Sequence, residues 1–443
     1  MKRFLLTISI ITAITISGSA QTYTLSECLK KGLENNYSLR ITRNDEEIAH
    51  NNTTLANAGL LPTVDLVAGY KGDLSSSDAK NRATGESDMS INTFDQTLNA
   101  GVDINWTIFD GFNASTTYKQ LKEMELIGET GTRLAIEDFI ADFTSEYYNF
   151  IQQRLRLDNY FNAVQLSKER LRIVEERYNI GSFSRLDYQQ AKVDFNADSA
   201  QYLKQQEAVI ASRIALNEMM AIDQVYTPII TKESTIEIDS TLVFADLWYS
   251  MLEKNADLLI AGHNSNIVQL NYKKIMSRNY PYVKLNVGYD YSYNHHSTGT
   301  YSHRNNWGGN AGVTIGFNIW DGNRKREKRN AKIEIDNAKL QYNQLELTLK
   351  ADLGNLWHAY ENNLRLFNLE KHNVITAREN HDIAKERYML GDLSGIEMRE
   401  AQLSLLQAEE RLISVLYNTK ICEISLLLIS GKIGHYLEDS KSL

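Results

Sequence analysis

Two kinds of periodicity run along this chain, and each occurs twice. From Leu25 to Ala58 apolar and polar residues mix at helical spacing. Pro62 then opens a run in which Val64, Leu66, Ala68 and Tyr70 alternate with Thr63, Asp65, Val67 and Gly69. Period two marks a strand with one apolar and one polar face, and proline does little harm where a strand begins. The polar stretch from Ser75 to Asn92 predicts a loop. Beyond it Val102, Ile104, Trp106 and Ile108 alternate with Gly101, Asp103, Asn105 and Thr107. Helical spacing returns between Asp110-Gly111 and Glu176-Arg177, an interval without proline. That interval predicts a helix about 100 Å long at 1.5 Å per residue, weakened at Gly128 and Gly131 by about 1 kcal/mol each. After Gly181 the pattern from Leu186 to Met220 is helical again, and an irregular stretch with Pro228 follows.

The second half repeats the first. Val283, Leu285, Val287, Tyr289 and Tyr291 alternate with Lys284, Asn286, Gly288 and Asp290. Val313, Ile315, Phe317 and Ile319 alternate with Gly312, Thr314, Gly316 and Asn318. Helical patterns run from Asn323 to Arg387 and from Ile396 to about Leu428. The copies also match residue by residue. Leu33-Glu34-Asn35-Asn36 corresponds to Leu252-Glu253-Lys254-Asn255, and Ile108-Phe109-Asp110-Gly111 to Ile319-Trp320-Asp321-Gly322. Glu176-Arg177-Tyr178-Asn179-Ile180-Gly181 corresponds to Glu386-Arg387-Tyr388-Met389-Leu390-Gly391. The repeat is far longer than the 20 to 50 residues of a solenoid unit, so a whole domain is duplicated. Its copies occupy 21–220 and 241–430, with a linker at 221–240 and a tail at 431–443. Residues 1–20 read as an export signal: Lys2 and Arg3, an apolar core from Phe4 to Ile16, then Ser17-Gly18-Ser19-Ala20.

Composition narrows the function. The 443 residues carry a net charge of -9 and only three prolines, which favours long uninterrupted elements and excludes a nucleic-acid partner. No stretch reads as a membrane-spanning helix of about 20 apolar residues. Cys28 and Cys422 are the only candidates for a disulfide. His295, His296 and His303 cluster in the second copy, but no acidic partner accompanies them, so no metal site is expected. There is no phosphate loop, HExxH pair or nucleophile elbow, hence neither an enzyme nor a cofactor is expected.

Four strands of about ten residues suit a bilayer, yet a spanning barrel needs about eight. An open edge in lipid leaves backbone groups unsatisfied at several kcal/mol each. If the strands cross a membrane, several chains must share one barrel. Tyr70, Trp106, Phe109, Tyr280, Tyr282 and Trp320 lie near strand ends, as at a membrane interface. The competing reading is a soluble periplasmic coiled-coil spacer or adhesin.

The export signal, the duplicated unit, the Asp-Gly after each second strand and the paired Arg-Tyr-x-x-Gly turns together resemble the TolC family of outer-membrane efflux channels. The resemblance covers essentially the entire mature chain. It implies a mainly α fold with membrane β: a homotrimer whose four strands per chain form a twelve-stranded barrel, continued by a long-helix α-barrel in the periplasm. Residues 221–240, with the chain ends, would form an equatorial belt. It further implies a periplasmic adaptor (membrane fusion protein), an inner-membrane transporter of RND or ABC type, and passive conduction of drugs, small toxic molecules or metals. The alternative is the outer-membrane duct of a type I protein secretion system.

By the same resemblance the two turns, with Arg177, Tyr178, Gly181, Arg387 and Gly391, close the periplasmic end. Asp187 and Tyr388 fall at positions of a gate link, and Glu397 and Glu400 at those of an acidic ring. Their i, i+3 spacing puts both carboxylates on one helical face, and carboxylates gathered at a constriction favour cations. Leu393 stands where the family has a gate arginine; Arg185 and Arg399 are the nearby substitutes.

Overall fold

A computed structural model of the chain describes residues 22–298 and 301–438; the predicted export signal lies outside the described residues. In order, the elements are β1 (Thr22–Tyr23), α1 (Leu25–Asn35), α2 (Tyr37–Asn52), β2 (Thr63–Lys80), β3 (Ser87–Phe109), α3 (Asn113–Asn179) and α4 (Arg185–Met219). The order then repeats as β4 (Ile230–Thr231), α5 (Phe244–Lys254), α6 (Ala256–Ser277), β5 (Tyr282–His295), β6 (His303–Gly316), α7 (Arg324–Leu390) and α8 (Gly395–Ile429). The short α9 (His435–Glu438) ends it. Packing gathers these into two units, each drawing on both copies: residues 42–133 with 256–347, and the remainder.

The first unit carries one antiparallel sheet in the order β2-β3-β5-β6. Its register aligns the apolar positions: Leu66 pairs with Val102 and Val102 with Tyr289, while Trp106 pairs with Leu285 and Leu285 with Val313. The opposite face collects Asp65, Asp103, Asn105, Asn286 and Asp290, with glycines among them. Asn105 donates to Asp65 at 3.4 Å and Asn310 to Asp290 at 3.1 Å. The apolar face is uncovered: Leu66 is 82% exposed and Ile315 72%. Such a face, with two open edges, requires further chains or lipid.

Two expectations for this sheet are corrected. The polar stretch 75–92 is not a loop: β2 and β3 stay paired through Lys80 and Ser87. Serine and threonine bond each other across the ribbon, Ser75 to Thr93 at 3.1 Å, and neither face is apolar, so hydropathy carried no signal. A bulge interrupts the ladder near Ser75, where Asn92 takes a positive φ of 55°. In the second copy β6 stops at Gly316, which leaves Phe317 and Ile319 beyond the strand despite their alternation.

Asp110 ends β3 by turning the chain into α3. Its carboxylate accepts the Ala114 N–H at 2.8 Å. Gly111 has φ +71°, and a Cβ there would collide with the Ser277 carbonyl, so glycine is required twice over.

The second unit is helical. α3 and α7 each run 67 residues and pack here with α4 and α8, burying Phe143, Tyr147, Leu216, Leu353, Tyr360 and Ile424. The helix expected from Leu25 to Ala58 is broken at Asn36, and α5–α6 break at the equivalent Asn255. Each asparagine donates to the end of a returning helix: Asn36 to the Met219 carbonyl at 3.1 Å, Asn255 to the Ile429 carbonyl at 3.1 Å. The amide side chain supplies what the interrupted helix loses.

The linker returns to the chain's beginning, where β1 and β4 pair in parallel. At the other end Glu423 accepts from Lys420 at 2.6 Å, the Tyr436 hydroxyl at 2.8 Å and the Asp239 N–H at 3.0 Å. One buried carboxylate thus joins α8, α9 and the linker. α8 is long and apolar enough by composition to cross a membrane, although charged and amide residues interrupt it. Its apolarity serves this core instead: Leu405, Ile413, Ile424, Leu426 and Leu427 are buried, with the Lys420–Glu423 pair among them. Cys28 and Cys422 are free thiols, so no disulfide joins them; burial pushes the Cys28 thiol up to about 12.

Candidate functional site

Each long hairpin reverses at a glycine in the left-handed region, Gly181 at φ +78° between α3 and α4, and Gly391 at φ +89° between α7 and α8. Only glycine adopts this without strain. Three residues later a serine caps the returning helix. The Asp187 N–H donates to Ser184 Oγ at 3.2 Å, and the Asp187 carboxylate accepts the Ser184 N–H at 3.1 Å. Glu397 and Ser394 repeat this reciprocal box at 3.3 and 3.0 Å. Capping satisfies helix N–H groups that otherwise lack partners.

The two carboxylates assigned to different roles by resemblance therefore hold one equivalent position in the two copies. Glu397 bends back to its cap, whereas Glu400 lines an open cleft of about 610 Å³ together with Asp187, Tyr388, Leu393 and Arg399. Both carboxylates stand three residues apart on α8, and of the two only Glu400 lines the cleft. Hydrogen bonds from the Ser394 backbone and hydroxyl hold the Glu397 carboxyl below the usual carboxylate range.

Tyr388 packs in a cluster with Val174, Ala191, Ala384, Met398 and Ala401, with Leu393 and Phe183 beside it. It is 2% exposed, and its hydroxyl has no hydrogen-bond partner among the described residues. Burial raises its pKa, opposed by Arg170 and Arg177. Asp187 and Tyr388 thus share a cleft without a bond between them.

Arg177 reaches across instead. It donates to the Met389 carbonyl at 3.0 Å and lies over the Tyr388 and Phe183 rings at 5.7 and 5.2 Å. Tyr178, its neighbour, stacks on Tyr188 at 5.5 Å. Of the two arginines near Leu393, Arg185 is exposed and Arg399 forms a forked pair with Asp198, both bonds 2.6 Å. Arg170 pairs with Asp194 and reaches the Gly395 carbonyl at 3.5 Å. Arg170, Asp194 and Asp198 were missed by sequence reasoning, since nothing local announces a partner on another helix. The serine caps were legible as Ser-x-x-Asp and Ser-x-x-Glu.

The profile of the outer membrane efflux protein family matches residues 28–221 and 247–432, one segment in each copy. Solved structures share the fold. A membrane protein from Pseudomonas aeruginosa aligns with TM-score 0.76 and 18% identity, over 92% of this chain and 93% of that one. The Campylobacter jejuni CmeC outer membrane channel gives 0.76 and 17%, over 92% and 85%. The outer membrane protein VceC from Vibrio cholerae gives 0.73 and 16%, over 92% and 96%. No curated protein sequence matches significantly. Channels of this family are transport proteins without enzymatic activity; they form trimers and work in tripartite efflux systems. Four strands per chain that cannot close alone, two copies of one hairpin unit and a profile match in both copies lead to one conclusion: the chain belongs to the outer membrane efflux protein family, the TolC-type channels of the bacterial outer membrane.

Proposed function

We propose that the chain is the passive exit duct for drugs, small toxic molecules or metals, and that its paired turns are the periplasmic gate. Residues 21–220 and 241–430 supply the two hairpins of each protomer. A periplasmic adaptor, fed by an inner-membrane pump of RND or ABC type, docks on the turns. The observation that carries this reading is a set of uncovered apolar side chains at equivalent places. Ile180 and Leu390 precede the turn glycines, and Leu186 and Ile396 follow the serine caps; each is more than three-quarters exposed. Apolar groups so placed favour a protein partner. Asp187, Tyr388 and Glu400 line the cleft behind them, where adaptor contact separates the hairpins and widens the aperture.

Complementation tests this. Cells lacking the channel should accumulate toxic small molecules, and the wild-type chain should restore their export. Leu186→Glu with Ile396→Glu should not, although its trimer assembles. Restored export by that variant would refute docking at the turns. A defect confined to a secreted polypeptide would favour the type I secretion duct instead.

A further inference from the structure

The start of α7 carries a feature that a conduit alone does not require. Lys325, Lys328, Arg329 and Lys332 lie at i, i+3, i+4 and i+7 in the first turns, so they share one helix face. None of the four makes an ion pair with a described residue. Like charges at i, i+3 and i+4 on one face repel each other, and Lys325 in the first turn also opposes the macrodipole, so an external anion would stabilise this face. The matching positions of α3 hold Ala114, Thr117, Tyr118 and Leu121, which shows that the duplicated fold does not need the charge.

Beside the cations is an apolar element. Ile319 and Trp320, just beyond β6, are 87% and 83% exposed. They line an open cleft of about 530 Å³ with Arg324, Lys325, Lys328 and Asp321, whose carboxylate accepts the Asn323 N–H at 2.9 Å. Arg324 is fixed there by the Asn279 side chain and the Asn318 carbonyl, both at 3.1 Å, while its Nε is buried without a partner. Since the helices follow the strands into the periplasm, this cleft lies at the barrel's periplasmic rim, level with the inner leaflet of the outer membrane. An indole at that depth suits the headgroup zone, and clustered Lys and Arg beside it suit an anionic headgroup.

We infer that the Trp320–Lys325–Lys328 cleft binds an anionic phospholipid of the inner leaflet, its phosphate on the cations and its acyl chains along Ile319 and Trp320. The site occurs once per protomer, only in the second copy. It rests on the membrane location of the barrel and not on the gate, so either reading can fail alone.

Native mass spectrometry of the detergent-purified trimer tests it, with phosphatidylglycerol and phosphatidylcholine added at equal concentration. Wild type should retain about ten-fold more phosphatidylglycerol, given the contribution of several cations near an anionic surface. K325Q/K328Q/R329Q should lose that preference with the trimer intact, whereas K119Q/K122Q should keep it. Trp320→Ala should weaken retention of both lipids alike. Equal retention by wild type, or an unchanged preference in the triple variant, would overturn the inference. So would a triple variant that keeps its lipid preference but no longer co-purifies with adaptor, because the face would then belong to a protein partner.

Discussion

The two turns descend from one unit and share its glycine, its serine cap and its exposed apolar residues, yet their tyrosines differ. Tyr178 stacks on Tyr188, whose hydroxyl donates to Glu175 at 3.2 Å. In the second copy Tyr188 is replaced by Met398, and Tyr388 sinks into the cluster between the hairpins with its hydroxyl unpartnered. The arginines differ too: Arg177 crosses to the second turn, while Arg387 is exposed and makes no such bond. Duplication supplied two equivalent turns, and divergence made one the clamp and the other the residue clamped.

The largest expected effect falls on the buried pair that joins the hairpins. Arg399→Leu strands Asp198 without its partner and should cost about 3 to 5 kcal/mol locally. Adding Asp198→Leu should recover most of that loss. Hydrogen exchange of α4 and α8 reads both, and equal loss in the single and double variants would remove the pair from this account. Next come the unequal arginines. Arg177→Ala should loosen the second turn by about 1 kcal/mol, and Arg387→Ala should stay within about 0.5 kcal/mol. Equal effects in exchange at residues 388–392 would erase the asymmetry. Tyr388→Phe should be neutral or stabilise by up to about 1 kcal/mol, since it removes a buried hydroxyl that lacks a partner. A clear loss in the melting temperature would show that the hydroxyl is bonded in the trimer.

The smallest effect is a pH dependence. Glu397 has a depressed pKa in the folded chain, so its cap is complete above the ordinary value of 4.5. Its contribution is lost as pH falls through the lower folded value. Exchange at residues 394–397 should quicken there; no change would mean that the carboxylate does not hold the cap.

Much of the fold was legible because its signals were long. Absence of proline announced α3 and α7, and alternation announced the strands where one face is apolar. It failed where Ser75, Ser76, Ser77 and Asp78 make both faces polar, and again where alternation outlasted the strand at Ile319. Helical patterns run up to Asn36 from both sides, so periodicity passes over the break; only its recurrence at Asn255 marks it. At the turns, spacing located the glycines, but neither the partners of the charged residues nor Arg170, Asp194 and Asp198. Asp187 reads equally as a cap and as half of a gate, and Arg399 finds Asp198 across 201 positions of sequence. By length and composition α8 could pass for a membrane helix, yet its apolar residues fill a core.

Single-channel recording of purified trimers in planar bilayers tests the central claim, that the turns close the duct. Asp187→Ala should raise conductance and lengthen open times relative to wild type, with Asp103→Asn on the polar face of the sheet changing neither closure nor open time. Conductance and closure unchanged in Asp187→Ala would contradict the gate.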